Sequence, residues 1–276
     1  MKNSEINPAR LTTALQKLND LRPLVHCITN PISINDCANA LLALGASPIM
    51  AEHPRECSEI TARSSALLCN LGNITDVRME SMMLSALEAL RLTIPVTVDA
   101  VGCAVSGLRL DFARKLIFEA KPAIIKGNMS EIAALCGVGA DAKGIDVGEG
   151  DEQRPITRAA LSFAAEYAAL HRCTVLISGK TDVVTDGVNM YGIENGCPQM
   201  ARVTGTGCMQ GALTAAFSAV TDSVWAAVCA ASALGICGER SAGARGVGSF
   251  RTSLIDELSL VTAREIEAMA RISYIK

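Results

Sequence analysis

Short apolar runs alternate along this chain with longer segments in which apolar residues recur at helical spacing. The runs are the candidate strands Leu24–Ile28, Ser47–Met50, Ala66–Asn70, Ile94–Asp99, Ala123–Lys126 and Thr174–Ser178. The segments between them are the candidate helices Asn35–Leu44, Thr75–Leu92, Arg109–Ala120, Met129–Leu135 and Ile156–His171. This alternation predicts βαβ units that form a mostly parallel central sheet with helices on both faces. Right-handed crossovers then bring the carboxyl ends of the parallel strands to one edge of the sheet.

The alternation breaks between Asp182 and Ile193, where two short strand patterns flank Asp186-Gly187. Because this dipeptide favours a two-residue turn, we predict a β-hairpin appended to the sheet. The stretch 139–154 is rich in Gly, Asp and Glu. Since helix and strand patterns resume beyond it, we interpret it as a surface loop and not as a domain linker.

The last part of the chain predicts three helices. The first follows the segment Val203–Cys208, and the others are Ser223–Arg240 and Leu254–Ile272. Asp222 and Ser253 are suitable N-caps for the last two. A possible capping box formed by Thr262 with Glu265 would divide the final stretch into two helices.

Composition limits the class of protein. The chain has 276 residues, of which 50% are hydrophobic and 3% are aromatic, and we predict a single domain covering 1–276. The formal net charge of −3 provides no basic surface for nucleic acid or an anionic membrane. No apolar run reaches the roughly 18 residues of a membrane-spanning helix, and no secretory signal opens the chain. We therefore expect a cytoplasmic protein.

The cysteines and histidines form no metal-binding pattern. None of the 11 cysteines belongs to a C-x-x-C pair, and the 3 histidines do not stand at zinc-type spacing from them. We predict reduced thiols within the core. His26 lies inside an apolar run, so we expect a hydrogen-bonded core histidine there.

The most informative segment is Val203–Cys208, which contains Gly205, Thr206 and Gly207 and leads into a helix of small residues. Glycines leave backbone N–H groups uncovered, and at a helix N-terminus such groups favour negative charge. This arrangement suits the developing charge of a phosphoryl transition state. The sulfur of Cys208, in the first turn, would face whatever the segment binds. The alternative is a strand-to-helix turn with a buried cysteine that packs as a small hydrophobe.

Polar side chains follow three of the candidate strands. Asp99 ends one of them, and a carboxylate at that edge suits hydrated Mg²⁺. Lys126 ends another, as a phosphate contact, and Glu131 follows it as a second carboxylate; Ser178 ends a third. Each position also has a structural interpretation: a loop cap for Asp99, a capping box of Asn128 with Glu131, and a simple turn at Ser178.

Taken together, these residues predict Mg²⁺-assisted phosphoryl transfer, in which positioning and charge stabilisation matter most. The chain contains no G-x-x-x-x-G-K-[ST] loop and no protein-kinase motif set. A P-loop enzyme and a protein kinase are therefore excluded.

The chain resembles the hydroxyethylthiazole kinase family of the ribokinase-like superfamily. The matching stretches are Pro23–Asn30, Leu41–Met50, Lys126–Ile132, Lys143–Asp146, Val184–Gly187, Val203–Cys208 and Gly248–Phe250, in the family's order and within roughly 22–258. The resemblance implies ATP-dependent phosphorylation of the hydroxyl of 5-(2-hydroxyethyl)-4-methylthiazole in thiamine salvage. It also implies a homotrimer with substrate pockets between neighbouring subunits.

The resemblance assigns roles to individual positions. Thiazole contacts match Asn30, Ile32, Met50 and Gly205; ATP contacts match Lys126 and Ser178; Mg²⁺-associated acids match Asp99 and Glu131; and the proton acceptor matches Cys208, beside Gly205, Thr206 and Gly207. Ala100 stands where the family commonly has proline, and Lys126 and Ser178 replace the more frequent arginine and threonine. Two alternatives remain: a kinase for another small heterocyclic alcohol such as hydroxymethylpyrimidine, and a nucleotide-binding or thiazole-binding sensor without catalysis.

Overall fold

The computed structural model describes residues 6–138 and 158–275. The predicted loop 139–154, the matching stretch Lys143–Asp146 and the first two residues of the predicted helix Ile156–His171 lie outside the described residues. Within the described part of the chain, no helix has the length and apolar character that crossing a membrane requires.

The described residues contain one nine-stranded sheet in the order β2-β1-β3-β4-β5-β6-β7-β8-β9. Its strands are β1 Leu24–Ile28, β2 Ser47–Ile49, β3 Ala66–Asn70, β4 Val96–Asp99, β5 Ile124–Asn128, β6 Thr174–Ser178, β7 Asp182–Thr185, β8 Met190–Ile193 and β9 Ile272–Tyr274. All neighbouring pairs from β2 to β6 are parallel, and the pairs from β6 to β9 are antiparallel. The mostly parallel sheet and the appended hairpin are confirmed.

Helices cover both faces of the sheet. They are α1 Ala9–Leu21, α2 Ile34–Leu44, α3 Cys57–Ala62, α4 Asp76–Leu92, α5 Gly107–Ala120, α6 Met129–Leu135, α7 Arg158–His171, α8 Thr206–Ser218, α9 Ser223–Arg240, α10 Val247–Leu260 and α11 Ala263–Met269, with a 3₁₀ helix at Pro198–Arg202. One core cluster joins α1, α2, α8, α9 and α10 to the sheet, and a second joins α4, α5, α6 and α7. Most residues of α8 and α9 are buried, and many of them are small, so the two helices pack closely.

Two details of the predicted elements are wrong. The hairpin turn has four residues, 186–189, because the Asp186 carboxylate accepts hydrogen bonds from the N–H groups of Val188 and Asn189. Ser253 is not an N-cap, since α10 already begins at Val247 after Gly246, which offers no capping side chain.

The chain after α10 corrects the predicted last helix. The Thr262–Glu265 capping box is present and begins α11. That helix ends at Met269, and Ile272–Tyr274 forms β9 beside β8 where the pattern predicted helix up to Ile272. Pairing with the exposed edge of the hairpin decides the conformation there, and local periodicity does not report such pairing.

The buried polar residues agree with the structural interpretations. All 11 cysteines are free. His26 is fully buried, with Nδ1 2.8 Å from Thr61 Oγ1 and Nε2 2.8 Å from the Ala51 carbonyl oxygen. Burial lowers the pKa of His26. It is the hydrogen-bonded core histidine that the sequence predicts.

Candidate active site

The register of the parallel strands brings the predicted polar side chains to one edge of the sheet. Asn70 of β3 pairs with Asp99 of β4, and Asp99 pairs with Lys126 of β5. Two residues further along β5, Asn128 pairs with Ser178 of β6. Because α8 begins above these strand ends, the Gly205–Cys208 segment and the strand-end residues share one site.

Asp99 and Lys126 form a buried ion pair. Lys126 Nζ lies 3.2 Å from Asp99 Oδ1 and 3.3 Å from Oδ2, and both side chains are almost completely buried. Burial raises the pKa of Asp99 to about 6, although the neighbouring ammonium favours the charged carboxylate. Burial alone would lower the pKa of Lys126, but the negative charge of Asp99 raises it. Lys126 therefore remains cationic within the site.

The start of α8 lies directly on this ion pair. Gly205 precedes the helix with a φ of 94°, which favours glycine. A Cβ added at Gly207 would lie 3.3 Å from Lys126 Nζ, and one added at Gly211 would lie 3.1 Å from Asp99 Oδ2. The two glycines are one helical turn apart, so they present a smooth face to the charged pair. Any side chain on that face would press the helix away from it.

Cys208 faces the loop after β1. Its Sγ lies 3.3 Å from Asn30 Nδ2, and the Asn30 Oδ1 accepts hydrogen bonds of 3.1 Å each from the N–H groups of Ile32 and Ser33. A Cβ added at Gly205 would lie 3.0 Å from Ser33 Cβ. The structure therefore brings Asn30, Gly205 and Cys208 together, as the resemblance implies.

Ile32 and Met50 are the two other residues to which the resemblance assigns thiazole contacts. Ile32 belongs to the same loop as Asn30, but its side chain is 61% exposed. Met50 directly follows β2, the strand beside β1, and packs half-buried against the first core cluster. Both lie at the carboxyl edge of the sheet.

The Glu131 carboxylate accepts hydrogen bonds from two backbone segments. It forms a capping box with Asn128, in which Oε2 accepts from the Asn128 N–H at 2.8 Å and the Glu131 N–H donates to Asn128 Oδ1 at 2.9 Å. Its other oxygen accepts from the Gly102 N–H at 2.7 Å, in the loop after β4. The predicted cap is confirmed, and the tie to the Asp99 loop is an addition to it.

The fit of Mg²⁺ can be judged from these carboxylates. Both Asp99 and Glu131 already accept hydrogen bonds from protein groups, and among the described residues no cluster of three or more His, Cys, Asp or Glu side chains is present. Mg²⁺ bound to nucleotides typically uses one or two carboxylates and completes its shell with water and phosphate oxygens. The residues fit an ion of that kind, and they do not form a dedicated metal cage.

A cleft of about 470 Å³ adjoins the start of α8. Its polar side includes Ser178, Lys180, Asp182 and Gln210, and its apolar side includes residues of the 3₁₀ helix and of α9. Its size suits a nucleotide, since ligand pockets of roughly 300–1,000 Å³ hold molecules of that size. Ser178 Oγ donates to the Gly127 carbonyl at 3.4 Å, and its hydroxyl can exchange this long hydrogen bond for one to a ligand oxygen.

Sequence reasoning missed three polar residues of the site. Gln210 Nε2 donates to Asp182 Oδ2 at 2.6 Å within the cleft. Asn70 Nδ2 donates to Asp99 Oδ2 at 2.9 Å. Asn70 ends a candidate strand as Asp99 does, so its position was a usable signal. Gln210 lies inside a helix of small residues, where no pattern distinguishes it.

Comparison with known proteins first identifies a shared fold. A ribokinase-like superfamily protein from Enterococcus faecalis aligns with a TM-score of 0.61 at 12% identity, over 95% of this chain and 92% of that chain. At that identity the likeness concerns the fold alone: the sheet and its covering helices are arranged as in that protein.

More specific matches then define the family. The model of the hydroxyethylthiazole kinase family matches residues 15–264. Hydroxyethylthiazole kinase 2 of Clostridium botulinum is 47% identical over 243 residues, which are 86% of this chain and 90% of that protein. The structure of a hydroxyethylthiazole kinase from Pyrococcus horikoshii matches with a TM-score of 0.87 and 34% identity, over 96% of this chain and 99% of that chain. The chain belongs to the hydroxyethylthiazole kinase family.

Proposed function

We propose that this protein transfers the γ-phosphoryl group of ATP to the primary alcohol of 5-(2-hydroxyethyl)-4-methylthiazole, as a step of thiamine salvage in the cytoplasm. The observation that carries the proposal is the contact of Asn30 with Cys208 at the first turn of α8, next to the buried Lys126. One spot thus offers a polar substrate contact, a proton acceptor, a cation and uncovered helix N–H groups. Family membership supports the same reaction.

The nucleotide is proposed to lie in the 470 Å³ cleft, with its phosphates directed toward α8. Ser178 and Lys126 would contact the phosphates, and the N–H groups of Gly205, Thr206 and Gly207 would stabilise charge on the transferring group. Mg²⁺, when bound to the nucleotide, supplies further neutralisation of phosphate charge near Asp99 and Glu131.

The alcohol is proposed to lie on the other side of the α8 N-terminus, against Asn30, Gly205 and Met50. Its oxygen forms the new bond to the γ-phosphorus while the bond from that phosphorus to the β,γ-bridging oxygen breaks, and ADP leaves. The hydroxyl proton goes to Cys208 Sγ, which takes it in the thiolate form and becomes the thiol. Because this proton leaves late in a loose transition state, Cys208 contributes about a hundredfold or less in rate.

The exposure of Ile32 suggests that the proposed alcohol pocket is completed by a neighbouring subunit. An apolar substrate contact with a 61% exposed side chain is poorly enclosed by one chain. We therefore include a homotrimer in the proposal, with Ile32 of a neighbouring subunit completing each pocket.

A coupled assay of ADP release tests this function, with ATP, Mg²⁺ and the thiazole alcohol. We expect turnover with this alcohol, slower turnover for Cys208→Ala by about a hundredfold or less, and retained turnover for Cys208→Asp. Turnover with hydroxymethylpyrimidine alone would replace the substrate. Binding of ATP and the thiazole without turnover would indicate a sensor.

A further inference from the structure

The hydrogen-bond direction at Asn70 is fixed by its neighbours. Asn70 is fully buried. Its Nδ2 lies 2.9 Å from Asp99 Oδ2, and an ionised carboxylate can only accept. Its Oδ1 lies 2.9 Å from the Gly72 nitrogen, and a backbone N–H can only donate. The reversed amide would lose both hydrogen bonds, so only one orientation satisfies the site.

The same reasoning fixes Asn30. Its Oδ1 receives the N–H groups of Ile32 and Ser33, so its Nδ2 must carry the two remaining contacts. One hydrogen of Nδ2 is directed to Asn70 Oδ1 at 3.2 Å and the other to Cys208 Sγ at 3.3 Å. The sulfur is therefore the acceptor of this hydrogen bond.

These bonds form a continuous chain, and its donors diverge from Asn30, whose Nδ2 donates both to Cys208 and to Asn70. It runs from Cys208 through Asn30 and Asn70 to Asp99, and Asp99 holds Lys126 at its far end. We propose that Asn70 is a positioning residue for phosphoryl transfer, which holds the Asn30 amide toward Cys208 and the Asp99 carboxylate beside Lys126. The inference rests on the proposed function for its catalytic consequence, but the arrangement itself can be tested without substrate.

A substitution at Gly72 can disturb the contact between Asn30 and Asn70 without changing either residue. A Cβ added there would lie 2.8 Å from Asn30 Nδ2 and 2.9 Å from Asn70 Oδ1. Real Cβ atoms do not come so close to polar atoms, so Gly72→Ala must shift at least one of the two amides or its own backbone N–H, and each of these takes part in the hydrogen bonds of the arrangement. Gly107→Ala is a matched control, because a Cβ there meets nothing within 4 Å.

The first experiment compares Asn70→Leu, which keeps the branching of the side chain and removes the hydrogen bonds, with Thr61→Val. The control removes a buried hydroxyl that bonds His26 at 2.8 Å and the Cys57 carbonyl at 2.9 Å, and that makes no hydrogen bond to Asn70 or its partners. We expect kcat of Asn70→Leu to fall roughly 10- to 100-fold with a smaller change in KM for ATP, because misplaced reacting groups cost rate more than binding. Thr61→Val should keep the wild-type kcat.

The second experiment needs no substrate. Iodoacetamide alkylation of Cys208 is followed by peptide mass spectrometry in the ligand-free protein, with Cys197 as the internal reference. A donated N–H favours negative charge on sulfur, and the thiolate is the reactive form, so we expect alkylation about threefold slower or more in Asn70→Leu and Gly72→Ala. Gly107→Ala should react like the wild type.

Gly72→Ala answers the question even where Asn70→Leu does not fold. Wild-type kcat and an unchanged or faster alkylation rate in Gly72→Ala would overturn the positioning role. A wild type that does not phosphorylate the thiazole alcohol, combined with the expected alkylation pattern, would overturn only the proposed function.

Discussion

Asp99 and Lys126 show how burial and pairing oppose each other at one residue. An isolated buried carboxylate is costly, and the neighbouring ammonium with the Asn70 amide offsets only part of that cost. Burial therefore keeps the pKa of Asp99 raised, at about 6. A group whose pKa is higher in the folded protein than in the unfolded chain makes the free energy of unfolding depend on pH.

The sign of that dependence follows from proton counting. Between about pH 4 and pH 6 the unfolded chain has released the Asp99 proton while the folded protein retains it, so the free energy of unfolding falls as pH rises. Asp99→Asn lacks this titration. We expect the free energy of unfolding of Asp99→Asn, relative to that of the wild type, to increase by about 2–3 kcal/mol from pH 4 to pH 6. Urea titration of both proteins at each pH measures this difference. Parallel curves would contradict a raised pKa.

Single residues of the site differ in how far the sequence reveals them. Asp99 and Lys126 follow apolar runs, and the ligand edge of a parallel sheet makes such positions candidates. The role of Asn70 depends on its register opposite Asp99. Spacing along one chain does not give the register between strands, so that contact emerges only from the structure.

At the N-terminus of α6, the capping residue Glu131 also binds a second backbone segment. In an ordinary capping box the glutamate needs one oxygen for the backbone. Glu131 uses both, one for Asn128 within the box and one for Gly102 in the loop that follows Asp99. The position of α6 and the position of the Asp99 loop are therefore coupled through one carboxylate.

Glu131→Gln tests this coupling. A glutamine has one accepting oxygen, so one of the two backbone N–H groups loses its partner, and we expect the free energy of unfolding to fall by about 1–3 kcal/mol. The Mg²⁺ concentration at half-maximal rate should rise, because the Asp99 loop shifts and a carboxylate is lost.

Glu265→Gln in the capping box of α11 is the matched control for this test, and it should leave the Mg²⁺ dependence unchanged. An unchanged Mg²⁺ dependence in Glu131→Gln would restrict Glu131 to its structural role.

Elements with strong local signals could be predicted, and those that depend on packing could not. The bounds of β1, β3, β6 and α6 agree with the sequence patterns. β9 is three residues long and forms only because the outer edge of the hairpin is open to it. Its conformation is decided by a partner far away in sequence, which periodicity does not record.

At the scale of the whole molecule, the site lies on one rim of the sheet. Helices on both faces close the interior, and the carboxyl ends of β1, β3, β4, β5 and β6 leave one edge for ligands. The cleft proposed for the nucleotide is lined by residues of this chain. The exposed Ile32 side chain on the alcohol side is what a pocket shared between subunits requires.

The proposed homotrimer predicts how activity depends on assembly. We expect sedimentation to give a trimer at assay concentrations and the specific activity to fall on dilution. Ile32→Asp should raise KM for the thiazole alcohol and leave KM for ATP unchanged, since only the alcohol pocket would use this side chain.

Leu170→Asp is the control for Ile32→Asp, because Leu170 is 77% exposed near the end of α7 that precedes β6, at the opposite edge of the sheet. It should leave both KM values unchanged. A monomer with full activity at every dilution, or an Ile32→Asp variant with the wild-type KM for the alcohol, would show that one chain encloses its own substrate.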